Sequence, residues 1–217
     1  MDTSIIKENL RKYYNQEAAI RDKSEKQDWK IKFREDFCKL IIQENKNTLL
    51  ELGAGAGYDS LFFMNNNLKV TAVDLSSEMV CKCKEKGIET YEMDFYNLSS
   101  LNKKFDSIWA MNTLLHVPKA DLGYVLNEID SVLNVNGLFY MGVYGGEDSE
   151  GEYVKSEISE FPRFFSFYSQ KHIYNILINR FCIIDFQEIN IGRDARTDIF
   201  QSILMRKKHT VCTIQEK

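Results

Sequence analysis

The stretch Thr48–Tyr58 reads T-L-L-E-L-G-A-G-A-G-Y, a short apolar run with one acid, followed by three alternating glycines. Thr48–Leu52 is short, aliphatic and bounded by turn residues, which predicts a fully buried strand. Gly53, Gly55 and Gly57 have no Cβ, so they can adopt positive φ and let a ligand lie against backbone N–H groups. A helix predicted to begin near Tyr58 adds free amides and the positive end of its dipole. The stretch therefore predicts a nucleotide-type binding loop.

The spacing of these glycines separates the nucleotide-binding classes. A dinucleotide-binding loop needs G-x-G-x-x-G, and Tyr58 stands where its third glycine would fall. A phosphate-binding P-loop ends in Gly-Lys-Ser/Thr, and the sequence has no lysine between Lys46 and Lys69. The loop is a poor match to both the NAD and the ATP type of site.

Length and composition bound the class of protein. The 217 residues, 44% of them hydrophobic, suit one α/β domain spanning 1–217. A net charge of −4 gives no global attraction for nucleic acid or an anionic membrane. No apolar run approaches the roughly 18 residues of a membrane-spanning helix, and the N-terminus lacks a signal-peptide pattern, so we expect a cytoplasmic protein. The five cysteines are scattered, and Cys81 and Cys83 would point to different faces of a helix, so we expect neither disulfides nor a metal site.

Acidic and polar residues follow the next three predicted strands. Asp74 ends the second strand about 20 residues beyond the glycines, where an acid can accept hydrogen bonds from both ribose hydroxyls. Asp94 and Phe95 follow the third strand, and Asn112–His116 follows the fourth, Phe105–Met111. In open α/β sheets, ligands bind outside the carboxyl ends of the strands, at the switch point between strands one and four. We therefore expect Asn112–His116 to face the reacting group.

This ordered set resembles the class I S-adenosylmethionine-dependent methyltransferases over about residues 45–206, and most closely their small-molecule branch, of methyltransferase-domain types 11 and 25. The resemblance implies a Rossmann-like α/β fold: a seven-stranded, mostly parallel sheet with an antiparallel last strand and helices on both faces. It implies S-adenosyl-L-methionine as cofactor, with residues 46–144 as the cofactor-binding core. The cofactor-binding residues it implies are Glu51, Gly53, Ala54, Gly55, Gly57, Asp74, Leu75, Met79, Asp94, Phe95 and Asn112.

Several of these residues have a second interpretation. Asp94 is a candidate partner for the adenine amino group, but it can equally be an acid that starts a loop. Met79 follows a plausible helix cap, Ser76. His116 suits a general base because it is neutral at pH 7, although its apolar neighbours also fit a histidine fixed at a loop corner.

Two helices are predicted before the first strand, in residues 1–45, and they are expected to cap the site. In the resembling family such helices often cover the cofactor, which makes Tyr13, Tyr14 and Trp29 candidate pocket residues. Packing on the sheet is the alternative for these aromatic side chains, because aromatic stripes usually face a core.

The segment 145–168 is acidic at first and then rich in aromatic residues, and it is predicted to be a substrate lid. Phe165 could stack on an organic acceptor, and Arg163 could pair with a carboxylate or a phosphate. The alternative is a hydrophobic plug under a loop. Residues 169–206 are predicted to form the last helix and the last two strands.

The predicted function is methyl transfer from S-adenosylmethionine to an oxygen or nitrogen atom of a small organic molecule, by a monomer or homodimer. The sequence lacks the Asn/Asp-Pro-Pro-Tyr/Phe signature of exocyclic-amine methylation. Two alternatives stay open at this point: an RNA (tRNA) methyltransferase, and a non-catalytic cofactor-binding module of the same fold.

Overall fold

The computed structural model describes residues 2–154, 159–192 and 199–208. Strands and helices alternate along the chain behind two N-terminal helices. In order they are α1 (Thr3–Arg21), α2 (Asp28–Gln43), β1 (Thr48–Leu52), α3 (Tyr58–Asn65), β2 (Lys69–Asp74), α4 (Ser77–Glu85), β3 (Glu89–Glu92), a 3-10 helix (Phe95–Leu101), β4 (Phe105–Met111), a second 3-10 helix (Leu114–His116), α5 (Lys119–Val132), β5 (Leu133–Tyr144), β6 (Ser149–Tyr153), β7 (Arg163–Phe167), α6 (Gln170–Leu177), β8 (Phe181–Asn190) and β9 (Ile199–Lys207).

The main sheet has seven strands in the order β3-β2-β1-β4-β5-β9-β8. All neighbouring pairs from β3 to β5 are parallel, whereas β9 runs antiparallel to both β5 and β8. The predicted fold is therefore confirmed, including the antiparallel last strand. The chain reverses its direction of travel across the sheet between β1 and β4, so the carboxyl ends of these strands form the switch-point crevice.

Helices cover both faces of the sheet because the central strands are apolar on both sides. On one face, α5 buries Leu122, Leu126 and Ile129 against residues of β4 and β5. On the other face, α2 buries Phe37 and Ile41 against a group that includes Trp109 and Tyr140. The rings of Trp109 and Tyr140 stack with their centroids 4.1 Å apart. These two layers fix the strands whose ends carry the predicted site.

Local signals place most of the element ends. Ser76 caps α4, since its hydroxyl accepts a hydrogen bond from the Met79 N–H at 3.2 Å. Helix α1 begins at Thr3, because the Asp2 carboxylate accepts a hydrogen bond from the Ser4 N–H and so caps the helix. Strand β5 begins at Leu133, because Leu133 pairs with Phe105 across an irregularity in the ladder.

The predicted lid, 145–168, contains regular structure in its described part. Strands β6 and β7 form an antiparallel hairpin in which Ser149 pairs with Phe167 and Tyr153 with Arg163. Residues 155–158 lie outside the described part of the chain. The hairpin is fixed to the core, because the Ser166 hydroxyl donates to the Val117 carbonyl at 2.8 Å.

Of the helices in the described ranges, none combines the length and the hydropathy needed to cross a membrane.

Candidate active site

A cavity of about 1020 Å³ opens at the carboxyl ends of β1, β2 and β4. Its walls come from the glycine loop, from α1 and the segment that joins it to α2, and from the hairpin. Ligand-binding pockets typically measure about 300–1,000 Å³, so this cavity has room for a large ligand or for two smaller ones.

The glycine loop forms one wall of the cavity. Gly53 and Gly55 have φ of 67° and 55°, which is strained for residues with a Cβ. A Cβ on Gly53 would lie 2.0 Å from Thr113 Oγ1, whereas one on Gly55 would meet nothing within 4 Å. The Gly55 backbone is therefore open for a ligand to approach, and the adjacent Ala54 also lines the cavity.

Gly57 has a different role from the other two glycines. Its φ is 83°, and a Cβ there would lie 2.6 Å from Ile88 Cδ1 and 2.9 Å from Cys83 Sγ. It is absent from the lining of the cavity. Gly57 thus allows α3 to begin close to α4 and β3, and its contact with a cofactor stays a prediction.

Asp74 faces the cavity at the end of β2, where its carboxylate is held by the backbone. Its Oδ2 accepts from the Gly55 N–H at 2.8 Å, and its Oδ1 accepts from the Ser76 N–H at 2.9 Å. Burial raises the pKa of Asp74, and these hydrogen bonds oppose that shift. Each carboxylate oxygen has two lone pairs, so both keep the capacity to accept from a ligand hydroxyl.

Two buried acids, Glu51 before the glycine loop and Asp59 after it, lie close together. Glu51 accepts from the Ser60 hydroxyl, and burial, together with the nearby Asp59 charge, raises the pKa of Glu51. Asp59 is held by Lys26, by Arg34 at 3.0 Å and by the Trp109 indole N–H at 3.0 Å. Both acids line the cavity. Asp59 was not predicted as a site residue, although an acid in the first turn of a helix that follows a glycine loop is a usable signal.

The predicted adenine-side residues divide between two cavities. Leu75, Met79 and Phe95 line the main cavity. Asp94 does not; it borders a separate cavity of about 40 Å³ that Leu75 and Phe95 share. The Asp94 carboxylate accepts from the Tyr96 N–H at 2.9 Å and pairs with Lys7 at 2.6 Å. This is the geometry of an acid that starts a loop, which was its alternative interpretation.

Asn112 stands at the tip of β4 in a left-handed conformation, with φ of 55°. Its backbone N–H donates to the Gly142 carbonyl at 2.8 Å, which fixes the turn. Its side-chain Oδ1 is buried and accepts no hydrogen bond from the described residues. Because the residue lines the cavity, this oxygen is available to a bound molecule.

His116 lies in the cavity wall with both ring nitrogens engaged. Its Nδ1 is 2.7 Å from the Phe164 carbonyl oxygen, which can only accept, so Nδ1 carries the proton. Its Nε2 then accepts from the Tyr14 hydroxyl at 2.6 Å. Burial lowers the pKa of His116 to about 3. A neutral imidazole with this pKa is a weak base, and its accepting lone pair is already used.

The predicted acceptor-side residues also divide. Tyr14, Arg163 and Phe165 line the cavity, but Tyr13 and Trp29 do not. The Tyr13 hydroxyl donates to Glu17 on the same helix, one turn away. Trp29 packs on Phe200 of β9, with ring centroids 4.5 Å apart. Tyr13 and Trp29 therefore lie on helix faces that pack against other side chains, and these faces do not line the cavity.

Several lining residues were missed by the sequence analysis. Arg21, at the end of α1, faces the cavity and pairs with Glu17 at 2.6 Å. Tyr144, at the end of β5, also lines the cavity. No local motif marks them, since each reaches the site through contacts between distant parts of the chain.

Comparison with known proteins agrees with this architecture. The family model described as a methyltransferase domain matches residues 49–137, which run from β1 to the start of β5. No curated protein sequence matches the chain. The family match over residues 49–137, together with the fold, supports a class I S-adenosylmethionine-dependent methyltransferase.

Solved structures of similar fold cover nearly the whole chain. One is a 1,6-didemethyltoxoflavin-N1-methyltransferase from Burkholderia thailandensis with bound 1,6-didemethyltoxoflavin and S-adenosylhomocysteine, at 18% identity, 95% coverage of this chain, 89% of that chain and a TM-score of 0.70. Another is magnesium protoporphyrin IX methyltransferase from Synechocystis PCC 6803 with bound S-adenosylmethionine, at 14% identity, 96% and 98% coverage, and a TM-score of 0.68. The [4+2]-cyclase SpnF aligns at 16% identity, 79% and 80% coverage, and a TM-score of 0.59. At these identities the likeness establishes the fold, and the chemistry has to be argued from the site.

Proposed function

We propose that this chain transfers a methyl group from S-adenosylmethionine to an oxygen or nitrogen atom of a small organic molecule. The observation that carries the proposal is one continuous cavity. The glycine loop and Asp74 line one part of this cavity, and Tyr14, His116 and Phe165 line another part. A methyltransferase needs this adjacency, because the donor and the acceptor must meet within about 3–3.5 Å.

The residues of the cavity suit each part of the cofactor. The Gly55 backbone and the carboxyl of Glu51 provide an open, polar wall for the methionine portion of the cofactor. The Asp74 carboxylate has free lone pairs for the ribose hydroxyls. Leu75, Met79 and Phe95 offer apolar surface for the adenine ring. S-adenosylhomocysteine and S-adenosylmethionine are reported as ligands in the two methyltransferase structures of similar fold.

When bound, S-adenosylmethionine supplies a methyl group on a sulfonium, and transfer to a lone pair of the acceptor breaks the carbon–sulfur bond and leaves its electron pair on sulfur. The chain's contribution is to orient the acceptor and to keep water out of the cavity. Tyr14 donates a hydrogen bond to His116 and its side chain is also hydrogen-bonded by Arg163, which leaves one phenolic lone pair to accept a hydrogen bond from an acceptor hydroxyl or amine. We therefore assign Tyr14 and His116 to positioning, in place of the general-base role considered for His116.

The charges around the cavity support a small acceptor over RNA. The wall contains a group of basic residues, namely Arg21, Lys23, Lys26, Lys30, Arg34 and Arg163. Three of them are paired with acids: Arg21 with Glu17, and both Lys26 and Arg34 with Asp59. The hairpin next to the cavity carries further acids, Glu150 and Glu152. This arrangement offers little net attraction for a phosphate backbone.

The test is release of S-adenosylhomocysteine from the full chain incubated with S-adenosylmethionine and either a low-molecular-weight cell extract or bulk tRNA. We expect release with the small-molecule extract and none with tRNA. Release with tRNA alone would transfer the assignment to RNA methylation. Tight cofactor binding with no release in either case would leave a non-catalytic binding module. The same assay, applied to cytoplasmic fractions of cells, tests the expected location. The molar mass of the active species tests the expected monomeric or homodimeric state.

A further inference from the structure

Arg163 is the first residue of β7, and its side chain lies in the cavity wall. Its guanidinium carbon is 4.6 Å from the centroid of the Tyr13 ring and 5.0 Å from that of the Phe165 ring. Contact with two aromatic rings restricts the planar group and orients it. The backbone on both sides is fixed too, because the Phe164 carbonyl accepts from His116 and the Ser166 hydroxyl donates to Val117. Arg163 is therefore a positioned cation.

The charge of Arg163 is not balanced within the described part of the chain. No carboxylate there lies within ion-pair distance of its guanidinium, and its Nε is buried with no hydrogen-bond partner. The charges of the other two cavity arginines are balanced, Arg21 by Glu17 at 2.6 Å and Arg34 by Asp59 at 3.0 Å, although the Arg34 Nε is also buried without a hydrogen-bond partner. A buried donor without a partner is costly, so a bound anion would satisfy what the fold leaves open.

The surroundings of Arg163 indicate what kind of molecule would carry that anion. Leu10, Tyr14, Leu115 and Phe165 line the same cavity, and they are apolar or aromatic. Such walls accommodate a flat, apolar body, and a guanidinium fork matches a carboxylate or phosphate with two parallel hydrogen bonds. Arg163 also lies outside residues 49–137, the part of the chain that matches the methyltransferase domain. It thus belongs to the part of the site that is contributed by residues outside the matched domain.

We propose that Arg163 binds an anionic group, a carboxylate or a phosphate, on a methyl acceptor whose body is flat and apolar. The proposal rests on the proposed methyltransferase function and adds the acceptor's charge to it. In this arrangement the anion at Arg163 and the ring against Phe165 fix two points of the acceptor. The atom to be methylated then lies toward Tyr14 and Asn112.

The test is a ligand-observed NMR screen of the full chain saturated with S-adenosylhomocysteine. The probes are a panel of aryl carboxylates and aryl phosphates, each paired with its neutral amide or methyl ester. We expect the anions to be enriched among the binders, and Arg163→Gln to weaken them at least tenfold without changing their neutral partners. Arg11→Gln is the matched control, because it removes the same charge from the outer surface of α1, where Arg11 pairs with Glu8.

The outcomes separate this inference from the proposed function. Saturable binding of S-adenosylhomocysteine with no preference for anions, or a preference that survives Arg163→Gln, would overturn the inference alone. Loss of S-adenosylhomocysteine binding in Arg163→Gln, with the fold intact, would reassign the cation to the cofactor carboxylate. Failure of the wild-type chain to bind S-adenosylhomocysteine at all would contradict the proposed function.

A second measurement does not depend on the glutamine variant folding. The Arg163 Nε–H resonance, assigned as the one missing in Arg163→Lys, is expected to shift on addition of an anionic probe and to stay in place with its neutral partner. An Arg163 Nε–H resonance that shifts with neither probe, although the anionic probe binds, would overturn the inference.

Discussion

Asp74 combines two roles at the end of β2. Its carboxylate accepts from the Gly55 and Ser76 N–H groups, so it shapes the glycine loop, and it faces the cavity in which ribose hydroxyls are proposed to bind. The loop and the ligand therefore depend on the same side chain. A substitution that keeps the shape of the side chain while removing its charge distinguishes the two roles better than alanine does.

Asp74→Asn is expected to lower the affinity for S-adenosylhomocysteine about ten- to a hundredfold, because hydrogen bonds to a charged acceptor contribute about 1.5–3 kcal/mol. Isothermal titration calorimetry measures this directly. Glu92→Gln is the matched control, since Glu92 pairs with Asp74 in the neighbouring strand β3 but is exposed. Equal affinities for Asp74→Asn and the wild type, with both folded, would show that no ligand hydroxyl reaches this carboxylate.

Glu51 makes stability depend on pH. Burial and the Asp59 charge raise its pKa above the ordinary value of 4.5, so between these two pKa values the folded chain holds a proton that the unfolded chain has lost. The free energy of unfolding therefore falls as pH rises from 4.5 toward the raised pKa. We expect Glu51→Gln to flatten this decline in urea denaturation at a series of pH values. A slope unchanged from the wild type, as expected for the exposed Glu92→Gln, would mean that Glu51 is ionised in the folded state.

At the scale of elements, the hairpin of β6 and β7 connects the core to the acceptor side of the cavity. Phe165 on this hairpin packs near His116, with ring centroids 4.9 Å apart, and lines the cavity. Fixed contacts at Val117 and Lys119 hold the base of the hairpin. The base of the hairpin is therefore fixed to the core.

Phe165→Ala is expected to lower kcat/KM for the acceptor about tenfold or more, because a misplaced acceptor loses in-line geometry. The dissociation constant of S-adenosylhomocysteine should change less than about twofold, because substitutions away from a contact usually change free energies by no more than about 0.5 kcal/mol. Val154→Ala, at an exposed position on the same hairpin, should change neither quantity. Hydrogen exchange in 149–154 and 159–168 should slow when S-adenosylhomocysteine and acceptor are both bound. Unchanged turnover in Phe165→Ala, with full protection in the free chain, would make the hairpin a plug on the core.

Helix α2 contributes to stability through one face. Phe37 is 3% exposed and contacts the rings of Phe63, Trp109 and Tyr140, so Phe37→Ala should lower the free energy of unfolding by about 3–5 kcal/mol. Ile42 is on the same helix but 50% exposed, so Ile42→Ala should lower the free energy of unfolding by less than about 0.5 kcal/mol. Chemical denaturation compares the two. Similar losses for both variants would contradict the assignment of faces.

For the whole molecule, the fold could be predicted because its signals are local. The apolar run before Gly53, the acid at Asp74 and the strand ending at Met111 each appear in a few consecutive residues. The site needed more. The hydrogen bond from Tyr14 to His116 spans 102 positions, and Arg163 reaches the cavity only through the pairing of β6 with β7. Periodicity places an aromatic residue such as Trp29 on a helix face, but it does not tell whether that face meets a cavity or Phe200.

The most direct test of the central claim is a calorimetric titration of the purified full-length chain with S-adenosylhomocysteine and, separately, with NAD. The account predicts one saturable site for S-adenosylhomocysteine with a dissociation constant in the micromolar range, where the free energy of binding is about −8 kcal/mol. It predicts no measurable binding of NAD, since Tyr58 stands where a dinucleotide loop has glycine. Tight binding of NAD, with no heat from S-adenosylhomocysteine or S-adenosylmethionine, would contradict it.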